Sequence, residues 1–219
     1  MLLLLKTLRD YGALSITLIA PYFCYLRQDA RLKEGEALSA QVIADMLSPY
    51  INRLITVDPH LRRIQTLAEL FSKNIQISVV SALPRFIYYI KKHIPNPFIF
   101  TSEQAIADDI DFPHHVFIKK RKRKIYISSF KDLDLKNKTP IIIDDMITSG
   151  NTLIAIAQRL RLDCKGDSAP MAIATHAVFS ESVSRGLMSL YQKILTTNTI
   201  PHSTNFFDIE PEILMKAQF

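Results

Sequence analysis

Two adjacent carboxylates, Asp144 and Asp145, follow three isoleucines and precede the run Thr148, Ser149, Gly150, Asn151 and Thr152. Carboxylates accept hydrogen bonds from the vicinal hydroxyls of a sugar, directly or through a divalent cation. Ile141, Ile142 and Ile143 read as a strand buried on both faces, which places the two acids at its carboxyl end. Leu153, Ile154, Ile156 and Leu160 carry helical spacing immediately afterwards. The unpaired N–H groups of a helix start, at the positive end of its dipole, can cradle a phosphate. Thr and Ser hydroxyls add donors, and Gly150 lets the backbone approach closely. The chemistry offered is that of a pocket for a phosphorylated ribose. The same residues also suit an ordinary buried strand followed by an Asp-rich cap and turn.

Three other sets bear polar groups at strand ends or in charged runs. Arg27, Gln28 and Asp29 follow one apolar stretch; Arg offers a planar fork for polyphosphate, and Gln can pair with a base edge or ribose. A polar loop capped by Ser39 accounts for them equally well. Asp58 and His60 are close enough to contact one ion or its water shell, although Mg²⁺ prefers oxygen and makes His60 an unusual direct ligand. Residues 119–124 read KKRKRK, which by itself describes a solvated face or loop.

The elements needed to position these groups alternate along the chain in the order of an α/β protein with parallel strands. Helical patterns cover 2–11 and 38–47, with strands at 16–20 and 54–57. A second series runs through a helix at 85–92, a strand at 98–100, a helix at 103–110, and strands at 116–118, 125–128 and 140–144. It continues with a helix to 162 and strands at 171–175 and 194–196. Two related units are expected, 1–79 and 80–219, with the last residues packing back on the first unit.

The 219 residues are 48% hydrophobic and 22% charged, with a net charge of +6 and a pI near 9.3. This composition fits a globular chain of one large or two small domains, and its basic excess suits polyphosphate ligands or nucleic acid. Cys24 and Cys164 are isolated, which excludes a disulfide framework and fits a reducing cytoplasm. MLLLLK is too short for a signal peptide, and no stretch has the length of a transmembrane helix. No aromatic stacking pattern accompanies KKRKRK, so a nucleic-acid partner is not expected.

Taken in order, YLRQDARLKEGEALSA, VDPH, the basic run, IIIDDMITSGNT and TTNTIPH (196–202) resemble the signatures of the ribose-phosphate pyrophosphokinase family. The resemblance implies a type I phosphoribosyltransferase fold: two units with mostly parallel sheets flanked by helices, the first incomplete at its N-terminus. It implies transfer of diphosphate from Mg-ATP to the C1 hydroxyl of ribose 5-phosphate, giving 5-phosphoribosyl 1-diphosphate and AMP. By position, Arg27, Gln28, Asp29 and His60 would bind ATP, and Asp58, His60 and Glu103 would hold Mg²⁺. Lys119 and Arg121 would be the catalytic cations, with Lys120 and Lys122 as the alternative register. Asp144, Asp145, Thr148, Ser149, Gly150, Asn151 and Thr152 would take ribose 5-phosphate. Thr101, Ser102 and Glu103 replace the family's usual Gly-Pro-Asp, and Glu103 also reads as a helix-start acid favoured by the dipole.

Because the chain opens at the helix before the first strand, the first sheet is expected to lack strands and to need cover from a homo-oligomer or a full-length homologue. The alternatives are a weak or inactive regulatory homologue that keeps ribose-phosphate or nucleotide binding, and a nucleobase phosphoribosyltransferase. The latter has no reason to carry the upstream RQD and VDPH clusters.

Overall fold

The structure, a computed structural model, describes residues 1–31, 33–61, 63–121, 125–131, 133–164 and 169–218, and of Arg121 only the backbone. The chain divides into two compact units, Met1–Ser81 with Glu210–Phe219, and Ala82–Ile209.

The first unit holds α1 (Leu2–Asp10), β1 (Thr17–Ile19), α2 (Ser39–Leu47), β2 (Arg53–Val57), a 3-10 turn (Leu67–Glu69) and β3 (Gln76–Val80), and its closing helix lies at the end of the chain, Glu210–Ala217. Its sheet is three-stranded and parallel, in the order β1-β2-β3. β2 is the middle strand, and Leu54, Ile55 and Val57 are fully buried. The alanines of α2, Ala40 and Ala44, let that helix sit close in the same core as Leu26, Leu47 and Leu54. β3 was not expected from the sequence; Gln76 and Ser78 interrupt its apolar run, and its extended form comes from pairing with β2.

The second unit holds α3 (Leu83–His93), β4 (Pro97–Thr101), α4 (Gln104–Asp108), β5 (His114–Val116), β6 (Lys119–Arg121), β7 (Ile125–Ile127) and β8 (Thr139–Ile147). It goes on with α5 (Asn151–Asp163), β9 (Met171–Ala177), α6 (Glu181–Leu187), β10 (Lys193–Thr197) and β11 (Asn205–Phe207), after which α7 is the closing helix of the first unit. Six strands form one parallel sheet in the order β11-β10-β9-β8-β4-β5. From β4 the chain adds β5 on one side, while β8, β9, β10 and β11 extend the other. The order therefore reverses between β4 and β8, the kind of switch point outside which open α/β sheets bind ligands. β6 and β7 are separate from this sheet and pair antiparallel as a hairpin. The basic run thus begins as a strand, because Lys119, Lys120 and Arg121 find main-chain partners in Ile127, Tyr126 and Ile125.

No helix among the described residues is long and apolar enough to cross a membrane.

Candidate active site

β8 carries the central motif. Ile141, Ile142 and Ile143 are buried at 2% exposure or less, as a strand covered on both faces requires. The strand does not stop at the acids. On one side its pairing with β9 continues through Asp144↔Ala174 and Met146↔His176 to Ile147↔Ala177. On the other side the pairing with β4 ends at Phe100↔Ile142. Asp144 and Asp145 thus stand beside the point where β4 turns away, at the switch-point crevice, instead of beyond the end of their own strand.

Glu103 follows β4 on the opposite wall of that crevice. Ligand atoms of Glu103, Asp144 and Asp145 lie within 4.8 Å of one another, the one group of three such donors found among the described residues. The Asp145 amide donates to Asp144 Oδ1 at 3.1 Å. Burial pushes the Asp144 carboxyl up to about 6, with Lys119 drawing it down and Asp145 adding to the rise. Lys119 Nζ is 3.8 Å from Asp144 Oδ2, and the two side chains are 20% and 13% exposed. Three oxygen donors with a cation already drawn to them match the hard, oxygen-based chemistry of Mg²⁺.

After β8, Thr148, Ser149 and Gly150 turn into the thirteen-residue helix α5, whose N-cap Gly150 has φ +72° and no side-chain cap. The first-turn amides therefore remain available to an anion. The sequence suggests that Gly150 serves close approach to a ligand; the packing supplies a different reason. A Cβ there would lie 2.9 Å from Val183 Cγ1 and 3.2 Å from Leu187 Cδ1 of α6. The left-handed backbone is a second demand for glycine.

The hairpin that carries Lys119 is pinned at its root. The Phe117 amide donates to Thr101 O at 2.9 Å, and Ser128 N donates to Ile118 O at 3.1 Å. Asp163, at the end of α5, accepts from Phe130 N at 2.7 Å and Ser129 Oγ at 3.0 Å. The Phe130 amide, then Ser129 and Arg159, holds this carboxyl below its usual range against the opposing effect of burial. Nothing in the sequence marks Asp163 as a support for the basic run, since the two are far apart in the chain. The Arg121 side chain and all of Lys122 lie outside the described residues.

The remaining expected residues lie in the first unit. Gln28 Oε1 accepts from Ser39 Oγ at 2.9 Å, and Gln28 O accepts from the Ala40 amide, so this loop is fastened to the start of α2. Asp29 is 6% exposed, and its Oδ2 accepts from Arg63 N at 2.6 Å. It braces two loops within this unit, those after β1 and β2. Asp58 follows β2 with φ +34°, its amide donating to Val80 O at 3.0 Å. Arg27 and His60 are half-buried.

Comparison with known proteins joins these observations. Residues 1–50 match the family model for the N-terminal domain of ribose phosphate pyrophosphokinase, and residues 94–210 match the phosphoribosyl synthetase-associated domain. A ribose-phosphate pyrophosphokinase of Sulfurisphaera tokodaii is 30% identical over 231 residues, covering 99% of this chain and 77% of the relative. That of Saccharolobus solfataricus is 33% identical over 210 residues, covering 90% and 70%. The crystal structure of phosphoribosylpyrophosphate synthetase from Mycobacterium smegmatis superposes with a TM-score of 0.81 at 25% identity, covering 99% of this chain and 74% of that one.

Proposed function

The chain belongs to the ribose-phosphate pyrophosphokinase family and is an enzyme of that class, and on that premise we propose that it transfers the β,γ-diphosphoryl group of Mg-ATP to ribose 5-phosphate. The C1 hydroxyl oxygen bonds to the β-phosphorus, the bond from that phosphorus to the α,β-bridging oxygen breaks, and AMP leaves with the electron pair. The hydroxyl proton passes to solvent. The products are 5-phosphoribosyl 1-diphosphate and AMP.

The observation that carries this reading is the meeting of Lys119 with Asp144 at 3.8 Å beside the uncapped start of α5. It supports the reading because a carboxylate suited to sugar hydroxyls, a helix start suited to phosphate and a cationic side chain occur together. In this assignment the first-turn amides of α5, with Thr148, Ser149, Asn151 and Thr152, hold the 5-phosphate. Asp144 and Asp145 orient the ribose hydroxyls. Lys119 and Arg121 stabilise charge on the transferring group, which is the main task in phosphoryl transfer because little covalent chemistry is left to the protein. Arg27 and Gln28 contact ATP, and Asp29 keeps their loop in place. Glu103, Asp144 and Asp145 are the residues of the second unit that would hold Mg²⁺, while Asp58 and His60 of the first unit are assigned separately to Mg-ATP. The ion would supply charge neutralisation on the diphosphate and a link to the ribose hydroxyls.

The test is incubation of the purified chain with Mg-ATP and ribose 5-phosphate while AMP is followed. Release well above that of Lys119→Ala is expected. AMP at the level of that variant would sink the assignment.

A further inference from the structure

Transfer requires Lys119 on the diphosphate, yet its ammonium lies against Asp144, a residue assigned to ribose. We propose that Lys119 is the resident cation of the metal-free crevice, and that a divalent ion displaces it and so releases the hairpin for catalysis. This rests on the reading of the site given above and adds an order of events to it.

Three observations lead here. The carboxylates of Glu103, Asp144 and Asp145, within 4.8 Å of one another, repel when ionised and call for a positive charge. Lys119 supplies one from a largely enclosed position, with both members of the ion pair at or below 20% exposure. The third observation is mechanical. Phe117, 2% exposed, is fixed to Thr101, and Ile118 is fixed to Ser128 both through its carbonyl and through its amide, which donates to Ser128 Oγ at 3.1 Å. Lys119 therefore follows directly on a hydrogen-bonded root, and in this proposal its ion pair acts on β6 and β7 as a latch.

A Mg²⁺ or Mn²⁺ ion bound to Asp144 would sit about 2.1 Å from a carboxylate oxygen. Its charge and the ammonium cannot share that edge without strong repulsion, so the two exchange. While the lysine is in place, its charge also stands 3.8 Å from the carboxylate oxygen that ribose hydroxyls need. Loading the metal would both clear the approach to Asp144 and free Lys119 to follow the diphosphate.

Mn²⁺ alone, titrated into the full chain without nucleotide and followed by electron paramagnetic resonance, separates this from a merely structural ion pair. Lys119→Met, which keeps the length of the side chain and removes the charge, is expected to bind Mn²⁺ about tenfold more tightly. The gain should vanish in Lys119→Met with Asp144→Asn, as coupling between the two sites demands. Backbone amide exchange supplies a second readout. In the wild-type chain, Mg²⁺ should accelerate exchange at 125–127, and in Lys119→Met exchange should be fast without it.

Equal or weaker Mn²⁺ binding by Lys119→Met overturns the proposal, as does hairpin exchange in the wild type that ignores Mg²⁺. AMP release is read separately. A chain that makes AMP but shows no gain in Lys119→Met loses this inference alone; one that shows the gain without AMP loses the reaction assignment and keeps the exchange.

Discussion

The loop after β8 and the loops after β1 and β2 each present polar groups beyond parallel strands, but they are held in different ways. Asp144 and Asp145 belong to a strand whose main-chain pairing with β9 runs past them to Ile147, and the following turn is pressed onto α6 at Gly150. Backbone pairing and packing fix that site. In the first unit β1 has only three residues, and the loops beyond β1 and β2 are held by scattered bonds, among them Ser39 to Gln28, the Ala40 amide to the Gln28 carbonyl and the Arg63 amide to Asp29. A site built into a sheet gives up rate or fold stability when damaged. A site built from braced loops should give up affinity instead.

The sharpest way to break that contrast is at Lys119. Lys119→Ala removes a charge aimed at the transferring group and is expected to lower kcat by roughly 10²–10³-fold, the range for loss of one transition-state donor. KM for ATP should change far less. Steady-state AMP release reads both quantities, and an effect confined to KM would move Lys119 from chemistry to binding.

Gly150→Ala tests whether the phosphate turn is a packing feature. The left-handed backbone costs about 1–2 kcal/mol for any other residue, and the 2.9 Å approach to Val183 adds an overpacking term of about 1–3 kcal/mol. A loss of roughly 3 kcal/mol in denaturant unfolding is expected. Adding Val183→Ala should relieve the closest contact and leave the backbone cost together with the 3.2 Å approach to Leu187. If Gly150→Ala folds with unchanged stability and loses only phosphate affinity, the glycine serves ligand approach after all.

That substitution also marks how far the sequence could be read. The strand of isoleucines, the acids and the helix after them were legible because β-branched residues and helical spacing are local signals. The resemblance grouped Glu103 with Asp58 and His60; its meeting with Asp144 and Asp145 was not read, because its cause, the reversal of strand order between β4 and β8, is a long-range property with no local trace. β3, β11 and α6 were unread for a related reason: Gln76 and Ser78 break the apolar pattern of β3, β11 is only three residues long, and ESVSRGL carries too few apolar residues to show a face. The lysine-rich start of the hairpin looked like a solvated loop, since charge conceals strand propensity until Ile125–Ile127 is seen to pair with it. Val183 as the reason for Gly150 was equally beyond reach.

Asp144→Asn gives the contrast a pH signature. In chelator-treated protein the folded-state carboxyl titrates at about 6, above its ordinary 3.8. The native state then holds more protons than the unfolded state between these values, so wild-type stability falls as pH rises through that window and stays lowered above it. Asp144→Asn lacks this slope. Its stability relative to wild type should increase by roughly 2 kcal/mol from pH 4 to pH 7, measured by urea unfolding at each pH. A parallel pH dependence in the two proteins would mean that Asp144 ionises freely and that the crevice is wetter than its burial implies.

The smallest effect is expected at Asp29, and it bears most directly on the braced-loop side of the comparison. The carboxylate is buried and receives the Arg63 amide at 2.6 Å, so it has little surface to offer a nucleotide and much to offer the neighbouring loop. Asp29→Asn keeps an acceptor oxygen but removes the charge, which lowers a charge-assisted bond to a neutral one and costs about 1 kcal/mol. The loop then holds Arg27 and Gln28 less firmly, and KM for ATP should rise about fivefold with kcat and KM for ribose 5-phosphate nearly unchanged. Asp29→Ala, which abolishes the acceptor, should extend the same trend. A fall in kcat at constant KM for ATP would contradict it, because a loop brace that governs only binding has no route to the rate of transfer.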